Sequence, residues 1–211
     1  MKSKKLSLIG ILVGFLLFVS IAYAGVLSYY GKIVGSVNVQ PPIFYAHSES
    51  ETYDKTYYLF KANMLPDGTL KEISAGIYQS DAGEYDTIID IGWLFPQVSS
   101  WYPSNWNFYY ETKIENANKA KLFTRIFKFD TSTNTKTLIK ECPKTDYTTS
   151  TTYTTITSSC EIPSITLEST ERILVEYWAT IDVDAGVLGK VYLKVDDPTS
   201  TNPTRIEVTP A

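Results

Sequence analysis

Beyond residue 24 the apolar side chains recur every second position, and that period limits what the chain can fold into. Ile173, Val175, Tyr177, Ala179, Ile181 and Val183 alternate with Leu174, Glu176, Trp178, Thr180 and Asp182. Successive strand residues point to opposite faces, so the run predicts a long strand with one buried face. Asp184-Ala185-Gly186 reads as a turn, and Val191, Leu193 and Val195 complete a hairpin. Shorter strands are predicted over residues 57–62, 70–78, 87–93, 108–114, 121–129, 137–142, 152–162 and 206–208, with turns at Pro66-Asp67-Gly68 and Asp81-Ala82-Gly83. No convincing helical stripe follows residue 24. Strands at roughly 8–12-residue spacing predict an all-β fold, an antiparallel β-sandwich with jelly-roll-like character.

The first 24 residues follow a different rule. Lys2, Lys4 and Lys5 precede an uncharged apolar run from Leu6 to Ala24, which ends in Ala22-Tyr23-Ala24. That is the layout of a signal peptide with a cleavage bond at Ala24-Gly25. Leu6 to Leu27 is also long enough for an uncleaved membrane anchor, since a spanning helix needs about 20 apolar residues. Both readings leave the lysines in the cytoplasm and place residues 25–211 outside it as a single extracytoplasmic domain, secreted or held at the cell surface.

Charge and cysteines agree with that location. Residues 1–24 hold three of the 19 basic side chains and none of the 23 acidic ones, so the remainder carries 16 basic against 23 acidic groups, a net charge of −7. Such a surface does not attract nucleic acid or anionic lipid. Asn202 is followed by Pro203, so it is no N-glycosylation acceptor. The chain has two cysteines, Cys142 and Cys160. In an oxidising compartment an even pair reads as a disulfide, here expected to staple strands 137–142 and 152–162 into a hairpin.

The sequence points to no cofactor, no metal and no catalytic centre. Its single histidine, His47, follows Pro41-Pro42 in the polar stretch Ala46-His47-Ser48-Glu49-Ser50 and is expected to be a solvated loop residue. The acid pairs Asp86 with Asp90, Asp182 with Asp184, and Asp196 with Asp197 could in principle serve hydrolysis, but acids two apart on a strand are the usual content of its wet face. Asp182-x-Asp184 ahead of Gly186 offers one oxygen-rich turn for calcium. Aromatic residues are dense near Trp101-Tyr102-Pro103-Ser104-Asn105-Trp106. Trp93 and Phe108 sit in strand patterns and belong to the core. Trp101, Tyr102 and Trp106 read as a loop, which either folds over the end of the sandwich or presents rings for stacking on a sugar.

The remaining feature is a run of about 13 residues directly after the apolar segment. Leu27, Tyr29, Gly31, Ile33, Gly35, Val37 and Val39 alternate with more polar neighbours until Pro41-Pro42 ends the ladder. Either this is the first strand of the chain's own sandwich, or it adds to a neighbouring subunit's sheet. The layout Ala22-Tyr23-Ala24-Gly25-Val26-Leu27-Ser28-Tyr29-Tyr30, followed by a strand-rich remainder, resembles small exported archaeal surface proteins. It more distantly resembles the biofilm-fibre and camelysin-like families, which carry a jelly roll behind a signal peptide. The layout leads to the expectation of a non-enzymatic cell-surface structural or adhesion protein; if the run from Leu27 to Val39 adds to a neighbour's sheet, it is a filament subunit whose partner is another copy of itself. A carbohydrate-binding module for surface glycans is the alternative, and an extracellular hydrolase a third.

Overall fold

A computed structural model of the chain describes residues 42–68 and 71–210. The signal or anchor segment, the Ala24-Gly25 bond and the strand expected through Leu27, Tyr29, Ile33, Val37 and Val39 lie outside the described residues. Strand is the only regular element among the described residues: β1 Ile43–Thr52, β2 Thr56–Ala62, β3 Lys71–Tyr78, β4 Gly83–Leu94, β5 Ser100–Trp101, β6 Ser104–Glu115, β7 Lys119–Asp130, β8 Thr135–Glu141, β9 Thr154–Ile162, β10 Ile165–Thr166, β11 Glu171–Val183, β12 Leu188–Val195 and β13 Arg205–Pro210.

Eleven of these strands form one ladder in the order β3-β12-β6-β13-β1-β2-β4-β11-β7-β8, with β9 on the far side of β6. β12 and β13 share the other side of β6, end to end: β12 pairs with Thr112 to Glu115 and β13 with Ser104 to Tyr109. The ladder folds over on itself into a sandwich. β9, β6, β12, β13 and β3 make one layer, β4, β11, β7 and β8 the other, and β1 and β2 carry the ladder between them. The pairing is antiparallel except where β2 meets β4 in parallel, Tyr58 opposite Trp93 and Leu59 opposite Leu94.

Strict alternation on β6 turns Trp106, Phe108, Tyr110, Thr112 and Ile114 inward and Asn105, Asn107, Tyr109, Glu111 and Lys113 outward. The inward rings meet the opposite layer without any ladder between them. Trp106 packs on Phe95 at a centroid distance of 4.9 Å and Tyr110 meets Tyr177 of β11 at 5.7 Å, while within that second layer Trp93 of β4 meets Tyr177 at 5.0 Å. Aromatic pairs at such spacings add about 0.5–1.5 kcal/mol each beyond the area they bury.

β11 departs from the single buried face read from its sequence. Leu174 and Glu176 are as buried as Val175 and Tyr177. The turn between β1 and β2 covers that outer face, where Tyr57, Phe129 and Leu174 form a second small core with Tyr53 and Leu59. A strand central to its layer is covered on both sides here, so its polar alternates need partners of their own.

The disulfide between Cys142 and Cys160 is present, with Cα atoms 5.3 Å apart, but it does not close a hairpin. β8 pairs with β7 and β9 with β6. Beyond β8 the Thr-rich segment runs beside β7, where Cys142 N–H donates to Thr124 O, Thr145 N–H to Leu122 O and Thr148 N–H to Ala120 O. It then crosses to the other layer, where Ile114 N–H donates to Ser150 O. The disulfide therefore joins the margins of the two layers. Closing a loop of 18 residues stabilises a fold by about 3 kcal/mol through the unfolded chain. Replacing both cysteines by serine is expected to lower the unfolding free energy in urea by about that much, with the far-ultraviolet spectrum unchanged.

Two core tyrosines differ in one respect. Tyr110 exchanges a hydrogen bond with Thr124 at 2.7 Å, whereas the Tyr177 hydroxyl is buried with no hydrogen-bond partner. Burial pushes the Tyr110 phenol up to about 12, despite its hydroxyl partners, and pushes Tyr177 well above the ordinary value. A phenol whose folded value is raised contributes stability that is full below its unfolded value near 10 and is lost as pH rises through the folded value. Tyr177→Phe is expected to raise stability at pH 7 by about 1 kcal/mol, because it removes an unsatisfied hydroxyl. In urea titrations at alkaline pH it should also lose less stability between pH 10 and 12 than the parent chain.

Candidate functional site

The segment Ala46 to Ser50, expected as a polar loop, belongs to strand β1, whose alternation breaks there at a bulge. Ala46 lies opposite Phe60 and Ser50 opposite Tyr58, so His47, Ser48 and Glu49 share the span of Leu59 alone. An insertion of this kind bends a strand and re-aims its side chains. Here it turns His47 into the protein. The expectation of a solvated loop histidine is overturned: His47 is fully buried, its carbonyl accepting the Trp93 indole N–H at 3.2 Å.

Two further segments converge on that imidazole. The turn Pro66-Asp67-Gly68 brings Asp67, and the end of β12 brings Asp196. One carboxylate oxygen of each lies 3.4 Å from His47 Nδ1. The other ring nitrogen, Nε2, lies 3.2 Å from the Met64 carbonyl oxygen. That oxygen can only accept, so Nε2 carries a hydrogen toward it. Nδ1 is buried and has no hydrogen-bond partner.

Asp196 is held in place from several directions. Its Oδ2 accepts the Ser48 N–H at 3.1 Å and the Ser48 hydroxyl at 2.6 Å, and its Oδ1 accepts the Gly68 N–H at 3.2 Å. Burial alone would raise the Asp196 carboxyl, but the hydrogen bonds from Ser48 and Gly68, with the adjacent His47 imidazole, outweigh it and hold the group below the ordinary carboxylate value. Asp196 adopts φ +52°, a left-handed conformation that aspartate tolerates better than most residues. Position 68 has no room for a side chain. A Cβ there would lie 1.9 Å from Asp196 Oδ2, so glycine is what lets the turn close over the carboxylate. His47, Asp67 and Asp196 each offer one donor atom within 4.8 Å of the others.

Two of the acid pairs read from the sequence turn to different partners. Asp196 and Asp197 are adjacent but turn apart, Asp197 pairing with Lys194 and accepting from Thr199 at 2.7 Å. Asp182 lies near Lys119 at 3.6 Å, whereas Asp184 accepts from Asn118 at 3.1 Å, so the two acids have separate partners. Asp86 accepts from Thr180 at 2.6 Å and pairs with Lys144 at 2.9 Å. Glu176, placed on a wet face by its alternation, is buried, paired with Lys136 and hydrogen-bonded by the Trp178 indole at 3.0 Å.

The three aromatic residues expected to share a loop separate. Trp106 is wholly buried on β6 in the face that also carries Phe108, which rules it out as a stacking ring. The strand begins directly after Pro103, which had made the segment look like a continuous loop. Trp101 packs inward against Phe44, Phe95 and Trp106. Only Tyr102 is open to solvent, at 82 % exposure, beside a shallow cavity of about 190 Å³ lined by Pro42, Pro103, Val208 and Pro210.

No protein-family model and no curated protein matches the chain. Among solved structures, the chain is similar to one described as the structure of infectious bursal disease virus Gx strain, at 12 % identity and a TM-score of 0.23. The match covers 76 % of this chain and 48 % of that one, so the chain spans about half the length of its neighbour. A likeness at that score carries no argument about this chain.

Proposed function

We propose that the chain is a non-enzymatic structural or adhesion protein of the cell surface. Residues 1–24 export or anchor it, and residues 25–211 work outside the cytoplasm as a jelly-roll-like sandwich, possessing a strand before Pro41 that adds to the sheet of a neighbouring copy. The observation that carries this reading is the open ladder. Among the described residues β3, β8 and β9 are its edges, each paired on one side only. Lys136 and Lys140 guard the β8 edge in the manner of strands that resist further pairing. β3 has no charged residue from Ile73 to Tyr78 and β9 none from Thr154 to Cys160, so these are the edges suited to receive a strand. The disulfide supports the location, since such bonds persist in oxidising compartments.

The test compares the chain lacking residues 1–24 with one that also lacks residues 25–40, by size-exclusion chromatography and electron microscopy. Filaments or oligomers from the longer form and monomers from the shorter are the expected result. Monomers from both end the assembly reading.

A glycan-binding surface is the second reading. It is favoured by the exposed Tyr102 ring beside its cavity and by the neighbouring Trp101 indole N–H, which makes no hydrogen bond. Binding on a glycan array that disappears in Tyr102→Ala is its expected outcome. An array without signal, or one on which Tyr102→Ala binds as the parent does, dismisses it.

A further inference from the structure

We propose that His47, Asp67 and Asp196 form a binding site for a divalent first-row transition ion of the zinc type. The argument starts from the electrostatics of the cluster. Three acceptors converge on one point: the Nδ1 lone pair of a buried imidazole and an oxygen from each of two carboxylates. Two of the three, His47 and Asp196, are buried, and acceptors crowded together there call for a cation between them.

A proton on Nδ1 is one such cation, but the geometry disfavours it. A charge-assisted N–H···O bond draws its atoms to about 2.7–2.9 Å and aims at one oxygen. Here Nδ1 stands 3.4 Å from both carboxylates and hydrogen-bonds to neither. Tetrahedral ligands about 2.0–2.1 Å from a zinc ion lie about 3.3–3.4 Å from one another, which matches both separations. The surroundings fit as well. A metal-binding histidine is usually oriented by donating its other N–H to a carbonyl, and the contact between Nε2 and Met64 O supplies that. Asp196 is steadied by Ser48 and Gly68 without losing the oxygen that faces His47.

The donor set also selects the ion. An imidazole nitrogen beside two carboxylates suits zinc and its neighbours, whereas calcium takes 6–8 oxygen ligands. His47 and Asp196 are buried, but the Asp67 side chain is 63 % exposed, so the site opens toward solvent on that side. Three protein donors leave a fourth position for water or an external carboxylate. The ion would tie together the β1 bulge, the turn after β2 and the end of β12.

The chain holds only one histidine, which makes the test direct. Full-length protein in detergent, without a histidine tag, is stripped with chelator and titrated with Zn²⁺ alone by calorimetry. The ¹⁵N resonances of the single imidazole and the melting temperature are followed in parallel. Expected are one Zn²⁺ per chain, a shift of the Nδ1 resonance and a higher melting temperature. Asp67→Asn, on the exposed turn, should weaken binding about tenfold or more while the melting temperature of the metal-free protein stays the same. His47→Gln should abolish binding, and if that variant does not fold, Asp67→Asn decides alone. The proposal is overturned if Zn²⁺ does not saturate the protein, if the Nδ1 resonance does not move, if Asp67→Asn binds as tightly as the parent, or if Ca²⁺ binds with equal affinity.

Discussion

The sandwich depends on the contact between the inward face of β6 and the layer opposite. Trp106, Phe108 and Tyr110 stand two residues apart on one strand, and the first and last of them meet Phe95 and Tyr177 across the gap. Rings of this size set the spacing of the layers, because smaller side chains from two pleated surfaces would leave voids that cost stability. Phe95 is the pivot of the arrangement. It touches Phe44 of β1, Phe60 of β2, Trp101 and Trp106, so the strands that carry the ladder from one layer to the other are fixed to the same group of rings.

The His47 cluster is a consequence of how that transfer is made. A ladder that must leave one layer for the other has to bend, and β1 bends at the bulge of residues 47–49. A bulge aims one side chain where regular alternation would not. It sends His47 inward, where the glycine of the β2–β3 turn and the left-handed Asp196 deliver two carboxylates. None of the three segments is a site alone. The disulfide acts on the far margin, where it holds the Thr-rich segment as it crosses from β7 to β6.

The strands were legible wherever apolar and polar residues alternate in the sequence. β6, β7, β9, β11 and β12 announced themselves by alternation, and the reading failed where alternation stops. β1 has four consecutive buried residues from Phe44 to His47 followed by a bulge, so neither period nor polarity marked it as a strand. β6 was read four residues short, because Pro103 and two asparagines suggested a loop, and that error placed Trp106 on a surface it does not reach. The aspartates of the cluster were visible only as a turn residue and as half of an adjacent acid pair. Nothing in their spacing relates residue 47 to residues 67 and 196.

By itself the sequence determined the class of fold and the bond that staples it. A two-residue period admits strands and excludes helices over the same residues, and two cysteines allow one intramolecular pairing. The tertiary structure decided what those elements are for. It alone settled which layer each strand joins, that the disulfide spans the two layers rather than closing a hairpin, and that one histidine and two distant aspartates share a point in space. The physical reason is range: alternation is set by neighbours two residues apart, whereas the convergence of residues 47, 67 and 196 follows from a bend in one strand and from the packing of rings that hold the bend in place.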